Sequence, residues 1–422
     1  FEAQSRVLVR NGVKAIVATL NVVTEPLLES DEAGFSEAAW RRLGARDGDS
    51  VSLSHPDPPE SLSHVRAKVF GHDLDDAAMD DVVADIVAGR YSDIQLACFV
   101  TACAGDRLSD EEVAGLTRAM VAAGDILRWS SDIVVDKHCV GGLPGNRTTP
   151  IIVPIVAACG LCMPKTSSRA ITSPAGTADT MATLAPVDLD VATLKKVVEQ
   201  EGGCIAWGGS VSLSPADDVI VRVERVLDLD AEGQLIASVL SKKAAAGSTH
   251  VVIDIPVGPT AKVRDDQAAM RLSRRMKTVG HLLGLKLSVE TTDGRQPVGY
   301  GIGPALEARD VLAVLQSSPS APTDLRQRAV QLAGAVLDAA GSTSNGAGVE
   351  LARSTLDSGR AWTKFRAICE AQGGMREPPE APLREEIPAQ RSGRVVQIDN
   401  RRLARIAKLA GAPRDPSAGA VI

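Results

Sequence analysis

The chain has 422 residues, enough for two or three domains each with its own core. Hydrophobic residues make up 44% and charged residues 23%, but aromatics only 3%, which excludes a base-stacking platform for single-stranded nucleic acid. The net charge of −7 offers no global basic field to a polyanion, so any phosphate site must be local, built from a few cations and backbone N–H groups.

Residues 1–60 read as a small β-rich unit. Val7–Val9 and Ala15–Ala18 are short apolar runs, Asp47-Gly48-Asp49 is a turn before Val51–Leu53, and the prolines between His55 and Leu62 mark a boundary. Residues 61–130 read as a helical domain, with further helices near 178–202. Met79, Val82, Val83 and Ile86 fall on one helical face, Ser92 caps a helix over Ile94–Ala104, and Ser109 with Glu112 forms a capping box for the next. From 131 to 340 strands and helices alternate, which predicts an α/β domain with a largely parallel, mixed sheet. Its strands are Ile133–Val135, Cys204–Trp207, Val251–Ile255 and Leu285–Val289; its helices include Thr149–Gly160, Gln234–Ala246, Asp265–Leu283 and Leu325–Ala340. Residues 341–422 form a C-terminal α+β segment, with a linker over Arg376–Arg391, a strand over Arg394–Ile398 and a helix over Arg401–Leu409. The sequence begins at Phe1 and stops just as a strand starts, so this last segment is expected to be incomplete and the natural chain longer.

No run of 18 apolar residues occurs, so no membrane-spanning helix is expected. Seven cysteines, scattered through apolar segments, read as reduced thiols of a cytosolic protein. Cys159 and Cys162 have redox spacing but close an apolar helix and read as packing. The six histidines show no metal-ligand spacing, and only His138 lies in a candidate site. No metal or cofactor is expected.

Four clusters carry chemistry. Asp136–Thr149 holds three glycines between a strand and a helix, with Lys137 and Arg147 for charge and Thr148 and Thr149 for hydroxyl donors. Glycines let backbone approach a ligand, and a helix N-terminus favours an anion. The glycine spacing is neither a Walker A loop nor a dinucleotide fingerprint; the plain alternative is a βα turn with incidental charges. Lys165–Asp179 is rich in hydroxyls, which donate to phosphate or sugar oxygens, although such residues also make ordinary solvated loops. On the predicted helix after Asp230, Ser238 and Lys242 are four apart and share a face; Asp230 itself suits a helix cap as well as catalysis. Lys262, in Gly258–Lys262, leaves a strand where it could reach a ligand, though a lone lysine there is usually solvated.

Together these clusters resemble one family. Asp136-Lys137-His138 followed by Gly141-Gly142 is similar to the phosphate loop of the thymidine and pyrimidine-nucleoside phosphorylases, Ser238–Lys243 to their base-binding helix, and Gly303–Glu307 to a further signature. Gly141–Thr149, Ser168–Thr177 and Asp230–Ser238 resemble the AMP phosphorylase branch more closely; bacterial members of that branch often carry a thymidine phosphorylase label. The likeness covers residues 65–422, and the first 54 residues resemble part of that branch's N-terminal extension.

The resemblance implies a homodimer or larger homo-oligomer, with a helical and an α/β domain meeting over a cleft. Nucleoside or nucleoside monophosphate and inorganic phosphate would be the partners, with neither nucleic acid nor membrane. By the same likeness Lys137, Thr149, Ser167 and Thr177, with the backbone of Gly141 and Gly142, hold the attacking phosphate. Gly142, Ser168, Arg169, Ala170, Ile171, Thr172, Ser173, Thr177, Ser238 and Lys262 match nucleotide contacts. Asp230 matches the proton donor, with Lys137 and His138 beside it as catalytic candidates. Arg222, Ser238 and Lys242 match base contacts of the thymidine branch. Cys139 stands where that branch has a phosphate-binding serine, and Val219 stands near where it has a base-contacting tyrosine. The expected reaction is phosphorolysis of an AMP-type monophosphate, giving base and ribose 1,5-bisphosphate. The alternatives are pyrimidine-nucleoside phosphorolysis, an anthranilate phosphoribosyltransferase-like transfer, for which no acidic metal cluster is evident, and a non-catalytic nucleotide sensor.

Overall fold

A computed structural model describes residues 4–170, 173–229, 231–343 and 346–422. The chain opens with β1 (Arg6–Asn11), β2 (Lys14–Thr19), α1 (Glu37–Leu43) and β3 (Ser52–Ser54), followed by α2 (Leu62–Val69), α3 (Asp76–Val87), α4 (Asp93–Ala102) and α5 (Asp110–Ala122). Next come β4 (Val135–Cys139), α6 (Thr149–Ala158), β5 (Met163–Ser167), α7 (Thr177–Ala182), α8 (Val191–Glu201), β6 (Gly203–Trp207), α9 (Pro215–Leu227) and α10 (Glu232–Ala245). The remainder is β7 (His250–Val257), α11 (Asp266–Leu282), β8 (Lys286–Asp293), β9 (Gly301–Ile302), α12 (Pro304–Leu315), α13 (Thr323–Ala339), α14 (Gly348–Asp357), α15 (Arg360–Ala371), α16 (Asn400–Leu409) and β10 (Ala420–Val421).

Two compact units result, one of residues 1–124 with 214–238, the other of 125–213 with 239–422. In the first, β2-β1-β3 is an antiparallel sheet whose Val7, Val9 and Ile16 pack with Leu43 of α1. The helices start where capping physics places them. Ser92 with Gln95 and Ser109 with Glu112 both close reciprocal capping boxes. Glu112 also takes the buried Lys68 ammonium at 2.7 and 2.8 Å and the Leu74 N–H at 2.9 Å, so one residue starts a helix and pins a neighbouring one.

In the second unit β4, β7 and β8 are parallel neighbours, as are β5 and β6. A parallel bridge from Val134 to Cys162 sets β5 beside the entry to β4, giving the order β6-β5-β4-β7-β8. Every residue of β7 except Val257 is buried, as suits a central parallel strand. α6 is buried from Thr149 to Ala157 and joins α13, α14 and α15 in one core through Ile151, Ile155, Val336, Leu356 and Phe365.

Four expectations need correction. The strand expected over Ile133–Val135 is β4, which begins at Val135 and runs to Cys139, so Asp136, Lys137 and His138 are strand residues and not loop residues. Alternation then sends Asp136 and His138 to one face of the sheet and Lys137 and Cys139 to the other. The helices near 178–202, expected with the helical domain, are α7 and α8 of the second unit; the first unit takes α9 instead. Residues 341–422 are not a domain apart, because α14 and α15 bury Ala352, Leu356, Phe365 and Ile368 in the core of the α/β unit. Arg394–Ile398 forms no strand: Val395 and Val396 are exposed and no strand among the described residues pairs with them, while β9 pairs with β10. Among the described residues no helix is long and apolar enough to cross a membrane.

Candidate active site

Two charged networks occupy opposite faces of β4. On one, the Lys137 ammonium donates to Thr148 Oγ1 at 3.0 Å and lies 3.4 Å from Asp254 Oδ2, with both side chains buried. Asp254 Oδ1 accepts from the Thr292 hydroxyl at 2.6 Å. Cys139, on the same face, is contacted at 3.2 Å by Asn146 Nδ2, and burial together with Asp254 pushes its thiol up to about 12. It stays protonated and contributes no anionic sulfur.

On the other face Asp136 uses both carboxylate oxygens. Oδ1 accepts from Lys165 Nζ at 2.8 Å and Oδ2 from Lys243 Nζ at 2.5 Å. Lys165 also donates to the Lys137 carbonyl at 2.9 Å. Burial alone would raise the Asp136 carboxyl, but the two ammonium groups outweigh it and hold it below the ordinary range. Burial pulls Lys165 down, opposed by Asp136 and reinforced by Lys243. The His138 imidazole falls well below its ordinary value, first by burial and then through the fields of Lys243, Lys165, Lys242 and Lys137. It is therefore neutral at pH 7, able to donate from one nitrogen and accept at the other.

Three loops converge here. Gly141 has a φ of +89°, and a Cβ on it would come 2.8 Å from the Cβ of Lys262, so the first loop meets the turn after β7. A Cβ on Gly142 would stand 3.1 Å from Ser173 Cβ, so the same loop meets the one after β5. Thr149 is buried in the first turn of α6, whose N-terminus carries partial positive charge. The Ser167 hydroxyl is shut off from solvent and has no hydrogen-bond partner among the described residues.

The second loop is braced from within. Asp179 accepts from the amides of Ala170 at 2.6 Å and Gly176 at 2.9 Å, and Ser173 Oγ donates to the Ala175 carbonyl at 2.9 Å. Arg169 reaches Asp179 at 3.4 Å and both Asp188 oxygens at 3.2 Å, its guanidinium 4.9 Å above the Trp207 ring. Ser168 is exposed.

Arg147, expected to offer its charge to an anion, is used as a brace. Nε donates to Glu307 Oε2 at 2.6 Å, while the η nitrogens donate to Thr177 Oγ1 at 3.1 Å and the Ala175 carbonyl at 3.0 Å. Glu307 also accepts from Thr180 Oγ1 and the Gly303 amide, each at 3.3 Å, so the Gly303–Glu307 signature serves to lock α12 against both loops.

The structure thus brings together Lys137, His138, Gly141, Gly142, Thr149, Ser173, Thr177 and Lys262. Lys262 is exposed, as is Arg222, which sits on α9 in the first unit 3.7 Å from Asp93. Ser238 and Lys242 are half-buried on α10. Ile171, Thr172 and Asp230 lie outside the described residues. Sequence reasoning quoted Asp136 and Lys243 within motifs without giving either a role, and it passed over Asp254. The signal for Asp254 was an acid inside the apolar run Val251–Ile255; for Lys243 it was adjacency to Lys242.

This arrangement is that of a glycosyl-transferring enzyme. Residues 62–124 match the helical bundle domain of the glycosyl transferase family and residues 131–362 its a/b domain, and the chain belongs to that family. A Polaromonas sp. strain JS666 protein named "Putative thymidine phosphorylase" is 66% identical over 99% of this chain and 82% of its own length. A protein of the same name from Hahella chejuensis is 61% identical over 99% and 83%. Within the family the chain therefore groups with these bacterial proteins. Anthranilate phosphoribosyltransferase from Thermus thermophilus superposes with a TM-score of 0.62 over 73% of this chain and 98% of its own, at 21% identity, a likeness of fold.

Proposed function

We propose that the chain breaks the N-glycosidic bond of a nucleoside 5′-monophosphate of the AMP type with inorganic phosphate, releasing the base and ribose 1,5-bisphosphate. The observation that carries the reading is the gathering of buried ammonium groups about β4, Lys137 on one face and Lys165 with Lys243 on the other, beside two glycine loops. Cations gathered in a low-dielectric site favour a dianion far more than they would in water. The Ser167 hydroxyl, without a hydrogen-bond partner among the described residues, and the α6 N-terminus add donors of the kind a phosphate oxygen accepts.

A phosphate oxygen attacks C1′ as the bond from C1′ to the base nitrogen breaks through an oxocarbenium-like state. The lysines and loop amides orient the dianion for that attack. The departing base gains negative charge and takes up a proton, for which Asp230 is the candidate donor. Ser168, Thr177 and Lys262 carry donors of the kind that a second, 5′-phosphate also accepts. The names of the two bacterial relatives favour a second reading, phosphorolysis of thymidine, with Arg222, Ser238 and Lys242 on the base.

A panel of nucleosides and their 5′-monophosphates, with and without phosphate, separates the readings. Base release should require phosphate and be faster from a monophosphate than from thymidine. Equal efficiency with thymidine refutes the AMP-type assignment, and no base release from any member refutes phosphorolysis altogether. Asp230→Asn should slow turnover while leaving nucleotide affinity nearly unchanged, since it removes only the proton.

A further inference from the structure

The reaction above gives Asp136 no role and Lys243 only a share of the positive charge, yet they are among the most enclosed charged groups of the α/β unit, 1% and 2% exposed. Three elements meet at this carboxylate: β4 supplies it, β5 supplies Lys165, and α10 supplies Lys243 from 107 residues away. Lys165 spends a second N–H on the Lys137 carbonyl, so the position of the Lys137 backbone depends on the same carboxylate. A buried ammonium without a counter-ion gives up its proton, because desolvation disfavours the charged form. One carboxylate shared between two ammonium groups is the least that can keep both charged at this depth.

We propose that Asp136 and Lys243 are positioning residues of the phosphate site: Asp136 holds Lys165 charged and the Lys137 backbone in place, while Lys243, competing for the same carboxylate, limits how firmly it does so. The inference rests on the reading of this site as one that binds phosphate. Lys165 meets Asp136 and the Lys137 carbonyl of β4 and Lys243 of α10, with the His138 imidazole of β4 and the Cys204 thiol of β6 within its field. His138 is held neutral and burial raises the thiol, so neither changes charge near neutral pH. Lys165 is the group whose proton the pair controls: Asp136 raises its affinity for that proton and Lys243 lowers it.

The two residues should therefore move the same property in opposite directions, which a merely structural role would not do. Calorimetric binding of inorganic phosphate is measured from about pH 5.5 to about pH 8.5 on the whole chain, on Asp136→Asn and on Lys243→Met, each as a ratio to wild type in the same buffers. In Asp136→Asn the pH at which affinity falls off should drop by about one unit or more, so the loss relative to wild type grows about tenfold across that interval. In Lys243→Met the fall-off should move to higher pH. Midpoints that stay in place, or that move together, overturn the proposal, as does failure of the wild-type chain to bind phosphate. If Asp136→Asn does not fold, an unmoved midpoint in Lys243→Met is sufficient to overturn it. Base release is assayed on the same samples. Opposite shifts without base release from any substrate support the proposal and refute phosphorolysis, so the two failures are distinguishable.

Discussion

Replacing Glu307 by alanine should be among the most destabilising single changes in the α/β unit. Its carboxylate is 1% exposed and faces the Arg147 guanidinium, itself 8% exposed. Without it a buried cation keeps only the neutral acceptors Thr177 Oγ1 and the Ala175 carbonyl. Breaking a buried pair from one side costs about 3–5 kcal/mol, a large part of the ~5–15 kcal/mol that holds a typical protein folded. Loss of the acceptor for Thr180 and the Gly303 amide adds to this, although both contacts are long at 3.3 Å. The cost should be read from urea unfolding, with the slope compared so that a change in unfolding cooperativity is not mistaken for stability. The double variant Arg147→Met with Glu307→Leu should recover most of the loss, to within about 1 kcal/mol of wild type, because removing both charges removes the desolvation penalty. The Ala175 carbonyl keeps the Ser173 hydroxyl as its donor in that variant. A single-variant cost below about 1 kcal/mol, or a double variant no better than the single one, would refute the reasoning.

Lys137→Ala should weaken phosphate use by about 2–3 kcal/mol and also lower stability, since buried Asp254 loses its cation and keeps only neutral donors such as the Thr292 hydroxyl; an unchanged dependence of rate on phosphate concentration rules this out. Gly176→Ala would place a Cβ 2.5 Å from the Ser168 carbonyl oxygen and 2.7 Å from the Ala170 nitrogen. Backbone there cannot swing aside, so the variant should lose about 1–3 kcal/mol in unfolding measurements, and catalytic efficiency should fall with it. His138 is neutral in the folded chain and its proton affinity is depressed, so below about pH 6.5 the unfolded chain binds the extra proton and stability falls with falling pH. His138→Gln should flatten that part of the stability profile; an unaltered slope speaks against the assignment.

Features that depend on a few neighbouring residues were legible in the sequence. The Ser109–Glu112 and Ser92 caps, the buried face of Met79, Val82, Val83 and Ile86, and the start of α6 at Thr149 are all local physics. The glycine loops were legible as loops, and their meeting at Gly141 and Gly142 agrees with the grouping of clusters read from the sequence. What escaped depended on distance along the chain. Nothing near Asp136 announces a lysine 107 residues later, and nothing near Arg147 announces a carboxylate 160 residues later. Arg147 therefore read as a free charge. The end of β4 was placed too early because Asp136 and Lys137 break the apolar run that marks a strand, although their charges are neutralised on either face of it. Arg394–Ile398 has a strand's composition, but no described strand pairs with it.

One helix has a consequence for how the molecule breathes. α6 is apolar almost all round, lies wholly within the core from Thr149 to Ala157, and has no solvent-facing stripe from which local opening could begin. Its amides from Ile155 to Ala158 should exchange with deuterium only when the whole unit unfolds, the slowest class in the protein. The neighbouring stretch Ser168–Ala170, exposed or half-buried and held by side-chain acceptors, should exchange orders of magnitude sooner. The candidate site would then have one wall that moves only when the unit unfolds and another that opens and closes many times within that interval, so ligand entry and exit would be timed by the second wall alone.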